Sequence, residues 1–275
     1  MTWDLEAARI TRLPGDDAFY IAEFITEAEE ERLLQKVGYI LRPLPKWTHL
    51  SHRRLQTWPS PLTTHNTLIA SALPAWLVSP IINPHFHDLN IFAEAPHAAP
   101  NHVLVNEYLA GQGIMPHEDG AAYFPLVATV SLGAPIVLDL YEKVPGGGVT
   151  RENNDTEREK EDQDQDQDGD DDAGIRARDL DSMTDAGRGE PAFRILQERR
   201  SLLVTRGSIY RDFLHGIAER ERDQGLDANS ICNWDLLREP ERFQCGWYER
   251  ETRISLTYRD VLRVAKLGNT MRFLR

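Results

Sequence analysis

Alternating apolar and polar residues predict a β-rich core in the second half of the chain. NHVLVNEYL from residue 101, FPLVATVSLG from residue 124 and PIVLDLYEK from residue 135 repeat with a period of two, as strands with one buried face do. RSLLVTRGSIY from residue 200 and RISLTYRDV from residue 253 add two further strand-like runs. Gly133-Ala134 separates the second run from the third, so we expect these two strands to pair as a hairpin.

The N-terminal part of the chain shows helical spacing instead. FYIAEFITEAEEERLLQKV, from residue 19, is typical of a short strand that runs into a helix. Thr26 with Glu29 three residues later forms a capping-box pattern at the start of that helix. Leu33, Leu34 and Val37 then supply an apolar stripe at helical spacing.

These elements predict an α+β, mainly β fold: a sandwich or barrel with N-terminal helices packed outside. Residues 79–101 are rich in Pro, Ala and His, which predicts a loop with a helical turn. The length of 275 residues is enough for one large core. We therefore expect a single domain over residues 1–275.

One long segment has a composition that does not support a packed core. Residues 145–190 begin with a run of glycines, continue in an acid/Gln repeat and lack aromatic residues. These features predict a disordered acidic insertion in a loop of the domain. Residues 151–172 hold 12 acidic and 3 basic residues, so they carry −9 of the net charge of −13 and leave −4 for the rest. The net charge therefore neither favours nor excludes a polyanionic partner.

Composition also bears on location. The chain has no run of 18 apolar residues and no basic start followed by an apolar block, so we expect neither a membrane-spanning helix nor a secretory signal. Cys232 and Cys245 are the only cysteines. Two cysteines favour a reducing intracellular compartment over a disulfide framework.

The motif MPHEDG, from residue 115, places a histidine and a carboxylate two positions apart. If the strand continues through it, His117 and Asp119 project to one face and Glu118 points away. A neutral imidazole beside a carboxylate suits a divalent metal that prefers nitrogen and oxygen ligands. An H-x-D triplet by itself is more typical of ordinary surface residues than of a metal site, so the metal interpretation needs a third ligand.

Eight other histidines are candidates for that ligand, and most of them lie in polar or Pro-rich contexts. His85 and His87 lie in a Pro-flanked loop without a third ligand, and we interpret them as an exposed surface pair. His215 follows a strand, a glycine turn and a short aromatic return strand, so it can meet the H-x-D pair across the mouth of a barrel. Two histidines and one carboxylate leave three octahedral positions open, as in non-haem Fe(II) oxygenases.

The strand RISLTYR places four polar side chains on one face. Arg253, Ser255, Thr257 and Arg259 recur with a period of two, and arginine binds carboxylates with two parallel hydrogen bonds. These residues therefore predict a clamp for an anionic co-substrate. The alternative is an exposed basic edge strand, a common device against aggregation.

Together, these motifs resemble the AlkB family of Fe(II)/2-oxoglutarate dioxygenases, and within it the subgroup called AlkB homologue six. The matching stretches are WTHLSHRRLQTW, NHVLVNEYLAGQGIMPHEDGAAYFPLVATVSLG, VLDLYE, RSLLVTRG, LHGI and TRISLTYR. They span most of residues 20–265, apart from the acidic insertion and residues 219–250. The resemblance implies a double-stranded β-helix, or jelly roll, with a catalytic core over residues 90–265.

The resemblance also implies the site residues. By position, they are the iron ligands His117, Asp119 and His215 and the 2-oxoglutarate contacts Asn106, Tyr108, Arg253, Ser255 and Arg259. Arg253 would pair with the distal carboxylate, supported by Ser255 and Arg259. The implied cofactors are Fe(II), 2-oxoglutarate and O2. The implied reaction hydroxylates a C–H bond as 2-oxoglutarate becomes succinate and CO2, and on an N-methyl group it would release formaldehyde.

The substrate is less well specified by these motifs. Nucleic-acid-repairing members of the family carry an acidic residue two positions after the H-x-D aspartate, and here that position is Ala121. The family places a lid over the site, and the candidates for contacts with DNA or RNA are Lys46, Trp47, Arg53, Arg54 and Trp58. Basic and aromatic side chains of this kind bind phosphates and stack on bases. The alternative is that Trp47 and Trp58 anchor the lid to the core.

The leading hypothesis is oxidative N-demethylation of a nucleic acid base by a monomeric protein of the nucleus and cytoplasm. A protein side-chain hydroxylase or demethylase and a non-catalytic binding module that retains the fold are the alternatives. His117 and His215 lie 98 residues apart, and His215 and Arg253 lie 38 apart. We attribute these gaps to the acidic insertion and to residues 219–250, and we expect neither segment to touch the ligands.

Overall fold

The computed structural model describes residues 3–39, 47–143 and 189–266. In chain order the strands are β1 (Ala18–Ile21), β2 (Thr48–Leu50), β3 (Arg53–Trp58), β4 (Leu68–Ile69), β5 (His102–Tyr108), β6 (Ile114–His117), β7 (Tyr123–Leu132), β8 (Ile136–Glu142), β9 (Phe193–Gln197), β10 (Leu202–Arg206), β11 (Phe213–Ile217), β12 (Arg222–Gln224), β13 (Trp247–Glu249), β14 (Arg253–Val261) and β15 (Val264–Ala265). The helices are α1 (Glu27–Tyr39), α2 (Ala75–Val78) and α3 (Gly207–Asp212), with single turns at Glu6–Ala8, Ile81–Phe86, Trp234–Leu236 and Pro240–Phe243. Nearly all of the predicted acidic insertion lies outside the described residues.

Eight strands form a jelly roll, so the predicted fold is confirmed. The large sheet has the order β1-β10-β7-β14-β5-β3-β2, and the small sheet has the order β6-β11-β8-β9. Along the chain, β5, β7, β10 and β14 enter the large sheet, while β6, β8, β9 and β11 enter the small one. Apolar side chains from both sheets pack together between them. Two sheets formed by strands that cross between them define this architecture.

The predicted hairpin between β7 and β8 is wrong. The two strands lie in different sheets, so the chain at Gly133 crosses between sheets and does not return into one. Gly133 has a φ of +82°, and a Cβ there would lie 2.7 Å from the Thr252 carbonyl oxygen. Two alternating runs joined by a short turn look the same in sequence whether the chain returns or crosses over.

Helix α1 begins where the sequence predicts. The Thr26 backbone N–H donates to Glu29 Oε2 at 2.8 Å, and the Glu29 N–H donates to Thr26 Oγ1 at 3.3 Å, so the capping box is confirmed. Leu33 and Val37 are buried in the cluster on the outer face of the large sheet. Within the described ranges, no helix is long and apolar enough to cross a membrane.

The two faces of the large sheet differ in chemistry because its side chains alternate. Val103 and Val105 of β5 and Leu256 of β14 belong to the apolar cluster beneath the helices. The intervening residues of β5 and β14 face the interior of the jelly roll, and they include Asn106 and Arg253. On β5 and β14 the outer face therefore contributes to the core, and the inner face carries the polar groups of the candidate site.

The segment before His215 is helical where the sequence predicts a short aromatic strand. Residues 207–212 form α3, and β11 begins only at Phe213, so His215 lies in the middle of a strand. The Ser208 N–H and Oγ both donate to Asp17 Oδ2 at 2.7 Å. These bonds at the start of α3 join residues 191 positions apart, and local sequence carries no signal of them.

Candidate active site

His117 and His215 lie opposite each other on neighbouring strands. Strands β6 and β11 pair antiparallel with these two residues as Cα partners, and their ring centroids are 4.4 Å apart. The strands approach so closely here that a Cβ on Gly216 would lie 2.9 Å from the Pro116 nitrogen. The sheet register therefore brings together two histidines that the sequence separates by 98 residues.

Asp119 joins the pair from a loop, not from the strand that the sequence predicts. β6 ends at His117, yet Asp119 Oδ2 lies 3.9 Å from His215 Nε2, and Arg259 donates to Asp119 Oδ1. Glu118 points away, as expected from the sequence, and forms an ion pair with Lys143. The predicted convergence of His117 and Asp119 is present, although the predicted strand through Asp119 is not.

The protonation states of these residues suit metal ligation. His117 Nδ1 lies 2.8 Å from the Met115 carbonyl oxygen, and a carbonyl only accepts, so Nδ1 carries the proton and Nε2 keeps its lone pair. Burial lowers the pKa of His117 to about 3 and lowers that of His215. Burial alone would raise the pKa of Asp119, but Arg259 and the two imidazoles bring it below its ordinary value. Near neutral pH the cluster is therefore two neutral imidazoles and a carboxylate.

The three side chains surround a position for an ion without being closed around it. Within the described residues, no three His, Cys, Asp or Glu side chains are already arranged to coordinate a metal. Adjacent octahedral ligands at about 2.1 Å from an ion are about 3 Å apart, and the His215–Asp119 distance is 3.9 Å. The donor set fits Fe(II) in type and number.

Arg253 is a buried cation in the jelly-roll interior. It is 2% exposed, and its Nη2 donates to Ser131 Oγ at 2.9 Å and Gln197 Oε1 at 3.2 Å. Burial lowers its pKa to about 10, which leaves it charged at neutral pH. Within the described chain its Nε lacks a hydrogen-bond partner, and no carboxylate pairs with it. A buried charge without a counterion is costly, so this position suits an anionic ligand such as a carboxylate of 2-oxoglutarate.

The two arginines of β14 serve different ends of the interior. Six residues along a strand separate their Cα atoms by roughly 20 Å, so Arg259 lies beside Asp119 and not beside Arg253. The Arg259 guanidinium stacks over the Tyr123 ring at 4.3 Å. Its Nε and Nη2 are buried without partners among the described residues. The structure thus places Arg259 at the metal end beside Asp119, whereas the family resemblance implies that it supports Arg253.

The other predicted co-substrate contacts lie next to Arg253. Tyr108 is the Cα partner of Arg253, and Asn106 is the Cα partner of Ser255, so all four side chains share the inner face. The Arg253 guanidinium lies 5.8 Å from the centre of the Tyr108 ring. Asn106 Oδ1 also lies 3.4 Å from Arg53 Nε. Arg53 is a lid candidate from the sequence, and the structure brings it to this co-substrate end.

The remaining lid candidates that are described lie on the opposite face of β3. Arg54 forms a two-pronged pair with Glu107 at 2.6 and 2.8 Å and stacks over Trp47 at 4.3 Å. Trp58 and Trp47 pack against the core beneath the helices, as the anchoring alternative predicts. Lys46 lies outside the described residues. Neighbouring residues of a strand point to opposite faces, so Arg53 faces the interior of the jelly roll and Arg54 faces outward.

Two site residues were missed by the sequence reasoning. Tyr210 of α3 donates from its hydroxyl to the Gly120 carbonyl oxygen at 2.9 Å, next to Asp119. No pattern in the sequence marks Tyr210, because its role depends on where α3 is placed. Ser131, which accepts from Arg253, was recoverable from the alternation in VATVSL, which predicts that it faces inward.

The competing histidine pair is not a metal site. His87 is exposed as expected, with 81% of its side chain accessible. The interpretation of His85 as exposed is wrong: it is 14% exposed, lies 3.5 Å from Glu29 and contacts the rings of Trp3 and Phe24. The pair splits because this segment turns as a helix, where residues two apart diverge.

Comparison with known proteins identifies the family of the chain. Residues 17–259 match the 2OG-Fe(II) oxygenase superfamily. The chain is 33% identical over 264 residues to the "Probable RNA/DNA demethylase ALKBH6" of Danio rerio, covering 96% of this chain and 93% of the relative. A mimivirus protein of Acanthamoeba polyphaga mimivirus, L905, is 28% identical over 130 residues, 46% of this chain and 57% of that protein.

The chain belongs to the AlkB family of Fe(II)- and 2-oxoglutarate-dependent dioxygenases, oxidoreductases that use Fe(II), 2-oxoglutarate and O2. Among solved structures, that of OsALKBH1 matches with a TM-score of 0.47 and 12% identity over 89% of this chain and 98% of the other. A Pseudomonas putida prolyl-4-hydroxylase matches with a TM-score of 0.43 and 11% identity over 94% of this chain and 99% of the other.

Proposed function

We propose that this enzyme oxidatively removes a methyl group from a nucleic acid base, with His117, Asp119 and His215 as its Fe(II) ligands. One observation carries the assignment of the site. Two neutral imidazoles and a carboxylate converge at one point of the jelly roll, and Arg253, a buried cation without a carboxylate partner in the described residues, shares the same interior.

The inner face of β14 gives each proposed contact a physical task. Arg253 would pair with the distal carboxylate of 2-oxoglutarate, because Nε is still available and two-pronged pairing suits a carboxylate. Asn106, Tyr108 and Ser255 would orient the same ligand from the positions beside Arg253. Arg259 would keep Asp119 ionised and offer its Nε and Nη2 to a second anionic group.

The bound metal and co-substrates would supply the oxidant, and the protein would hold and surround them. When bound, Fe(II), 2-oxoglutarate and O2 supply an oxidant that hydroxylates a C–H bond while 2-oxoglutarate becomes succinate and CO2. The chain keeps the two imidazoles neutral and the Asp119 carboxylate ionised, and it surrounds them with buried side chains. His215 keeps 31% of its side chain exposed, which leaves the site accessible to a substrate from that side.

Support for a nucleic acid substrate comes from two sources. The Danio rerio relative bears the name of an RNA/DNA demethylase, and Arg53 supplies positive charge beside Asn106. Trp47, Arg54 and Trp58 would then anchor the lid through their contacts with the core. Nucleic-acid-repairing members of the family carry an acidic residue at the position of Ala121. We therefore propose that this enzyme recognises the base without a carboxylate at that position. A monomer of the nucleus and cytoplasm fits such a substrate.

The test measures succinate release from 2-oxoglutarate with Fe(II) and O2, comparing the parent with His117→Ala. We expect turnover in the parent and its loss in the variant. Formaldehyde release is then compared between methylated oligonucleotides and methylated peptides. Formaldehyde from peptides alone would favour a protein side-chain demethylase. A parent that neither turns over nor binds metal with 2-oxoglutarate would contradict the catalytic assignment.

A further inference from the structure

The segment between His215 and Arg253 folds against the strands that carry two of the proposed ligands. Within it, β12 and β13 pair antiparallel, and Arg250 follows β13 directly. Arg250 and Asp223 have side chains that are 2% and 1% exposed. Arg250 Nε lies 2.9 Å from Asp223 Oδ2 and Nη2 lies 2.7 Å from Oδ1. A buried two-pronged pair fixes both the position and the plane of a guanidinium.

The remaining nitrogen of Arg250 bonds the backbone at the ends of both ligand strands. Nη1 donates to the Ala218 carbonyl oxygen at 2.6 Å and to the Gln112 carbonyl oxygen at 3.3 Å. Ala218 directly follows β11, and Gln112 lies two residues before β6 begins. One guanidinium therefore joins the two chain segments at the end of the β6/β11 pair.

The two strands are closely fitted at this end. Ile217 and Ile114 are Cα partners, and the register shifts between Ile217 and His215. A Cβ on Gly113 would lie 2.2 Å from the Ile217 carbonyl oxygen, so the glycine allows a backbone approach that other residues prevent. His215 and His117 are the next partners along the pair, so a change in strand spacing at Arg250 extends to the imidazoles.

We propose that Arg250, held in place by Asp223, is a positioning residue that fixes the spacing of His117 and His215. The inference rests on the proposed metal site. Arg250 acts through the backbone of the ligand strands and does not itself contact a metal ligand. Groups that orient metal ligands from behind alter metal affinity when they are removed. A site whose supporting contacts are lost keeps its ligands but loses their geometry.

The test uses the full chain and measures Mn²⁺ affinity together with the absorption spectrum of bound Co²⁺, which reports ligand geometry. The variants are Arg250→Ala, Arg250→Lys and Asp223→Asn. We expect Arg250→Ala and Asp223→Asn to weaken Mn²⁺ binding by about 10-fold or more and to alter the Co²⁺ spectrum. Arg250→Lys keeps the positive charge and can still donate a hydrogen bond to a backbone carbonyl. We therefore expect it to retain part of the Mn²⁺ affinity.

A matched control separates positioning from general stability. Glu30→Gln also neutralises a buried carboxylate, one that pairs with Arg199 and Arg200 and not with the ligand strands. We expect it to lower the melting temperature without changing the Mn²⁺ affinity or the Co²⁺ spectrum. Should it reduce the affinity as much as Asp223→Asn does at equal loss of melting temperature, the positioning role is contradicted. Parent-like binding in all Arg250 and Asp223 variants also overturns it.

Hydrogen exchange of the metal-free protein distinguishes this proposal from the proposed function. In Arg250→Ala we expect the amides of Ile114, Met115 and His117 and those of Phe213–Ile217 to exchange faster while those of β1 are unchanged. Unchanged protection of these two strands overturns the proposal even if metal binds. If Mn²⁺ binding in the parent does not depend on His117, the metal assignment fails, and exchange alone decides the role of Arg250. If Arg250→Ala does not fold, Arg250→Lys and Asp223→Asn decide by the same two measurements.

Discussion

The Arg259 guanidinium is bonded to the Asp119 carboxylate, and both side chains are nearly buried, at 3% and 9% exposed. Arg259 therefore supplies the positive charge that a buried carboxylate requires when a metal does not. A divalent ion between the two imidazoles would compete with Arg259 for the same carboxylate. The pairing links the stability of the metal-free protein to the metal affinity of the site.

Replacing Arg259 should make the fold depend on metal. Arg259→Met leaves Asp119 buried without its counterion, and we expect the free energy of unfolding of the metal-free protein to fall by about 3–5 kcal/mol. Mn²⁺ should restore part of this loss, since it replaces the missing charge. Urea unfolding with and without Mn²⁺ measures both effects. Equal stabilisation of parent and variant by Mn²⁺ would contradict the competition.

Arg253 should contribute to co-substrate binding and not to stability. Arg253→Met removes a charge-assisted pairing worth about 1.5–3 kcal/mol, so we expect the Kd for 2-oxoglutarate to rise by about 10- to 100-fold. The metal-free protein should be as stable as the parent or more so, because a buried unneutralised cation is lost. Calorimetry with Mn²⁺ under anaerobic conditions measures the Kd. Arg253→Lys, which keeps the charge, should lose less affinity.

Adjacent arginines of β3 should separate function from stability. Arg53 faces Asn106 in the interior, so we expect Arg53→Ala to raise the KM for 2-oxoglutarate or substrate with little change in melting temperature. Arg54 pairs with Glu107 and Trp47 on the outer face, so Arg54→Ala should lose about 1 kcal/mol of stability and leave KM unchanged. Succinate kinetics and thermal unfolding distinguish them. The reverse pattern would contradict the facing of β3.

The crossover at Gly133 should not accept a side chain. Gly133→Ala introduces a Cβ 2.7 Å from the Thr252 carbonyl oxygen at a φ of +82°, and we expect a loss of about 1–3 kcal/mol. Chemical denaturation measures the change. Gly246→Ala is the control, because Gly246 has a φ of +81° and a Cβ there would meet no atom of the described residues within 4 Å. A similar loss in both variants would assign the cost to φ alone.

The capping box of α1 should affect stability only. Thr26→Ala removes the hydroxyl that accepts the Glu29 N–H, and we expect a loss of about 1 kcal/mol. Mn²⁺ affinity should stay at the parent value, because α1 packs on the outer face of the large sheet. Thr26→Ser, which retains the hydroxyl, should recover most of the stability in the same denaturation measurement.

Local sequence determined the chemistry of each element. The period of two in RISLTYR put Arg253 and Arg259 on an inward face, the capping box located the start of α1, and the H-x-D spacing identified His117 and Asp119. These features depend on residues a few positions apart, whose directions within regular strands and helices follow from backbone geometry. Asp119 is the exception, because it reaches the site from a loop after β6. The type of fold and the donor set of the site were therefore predictable.

The sequence predicts that His215 can meet the H-x-D pair, but only the tertiary structure decided how the distant groups are arranged. The register of β6 against β11 paired His117 with His215, and the position of β14 separated Arg253 from Arg259 and gave Arg259 to Asp119. At Gly133 the sequence predicts a hairpin, whereas the chain crosses between the two sheets. Register and sheet choice depend on contacts between residues far apart in the chain, and short-range patterns carry no record of those contacts.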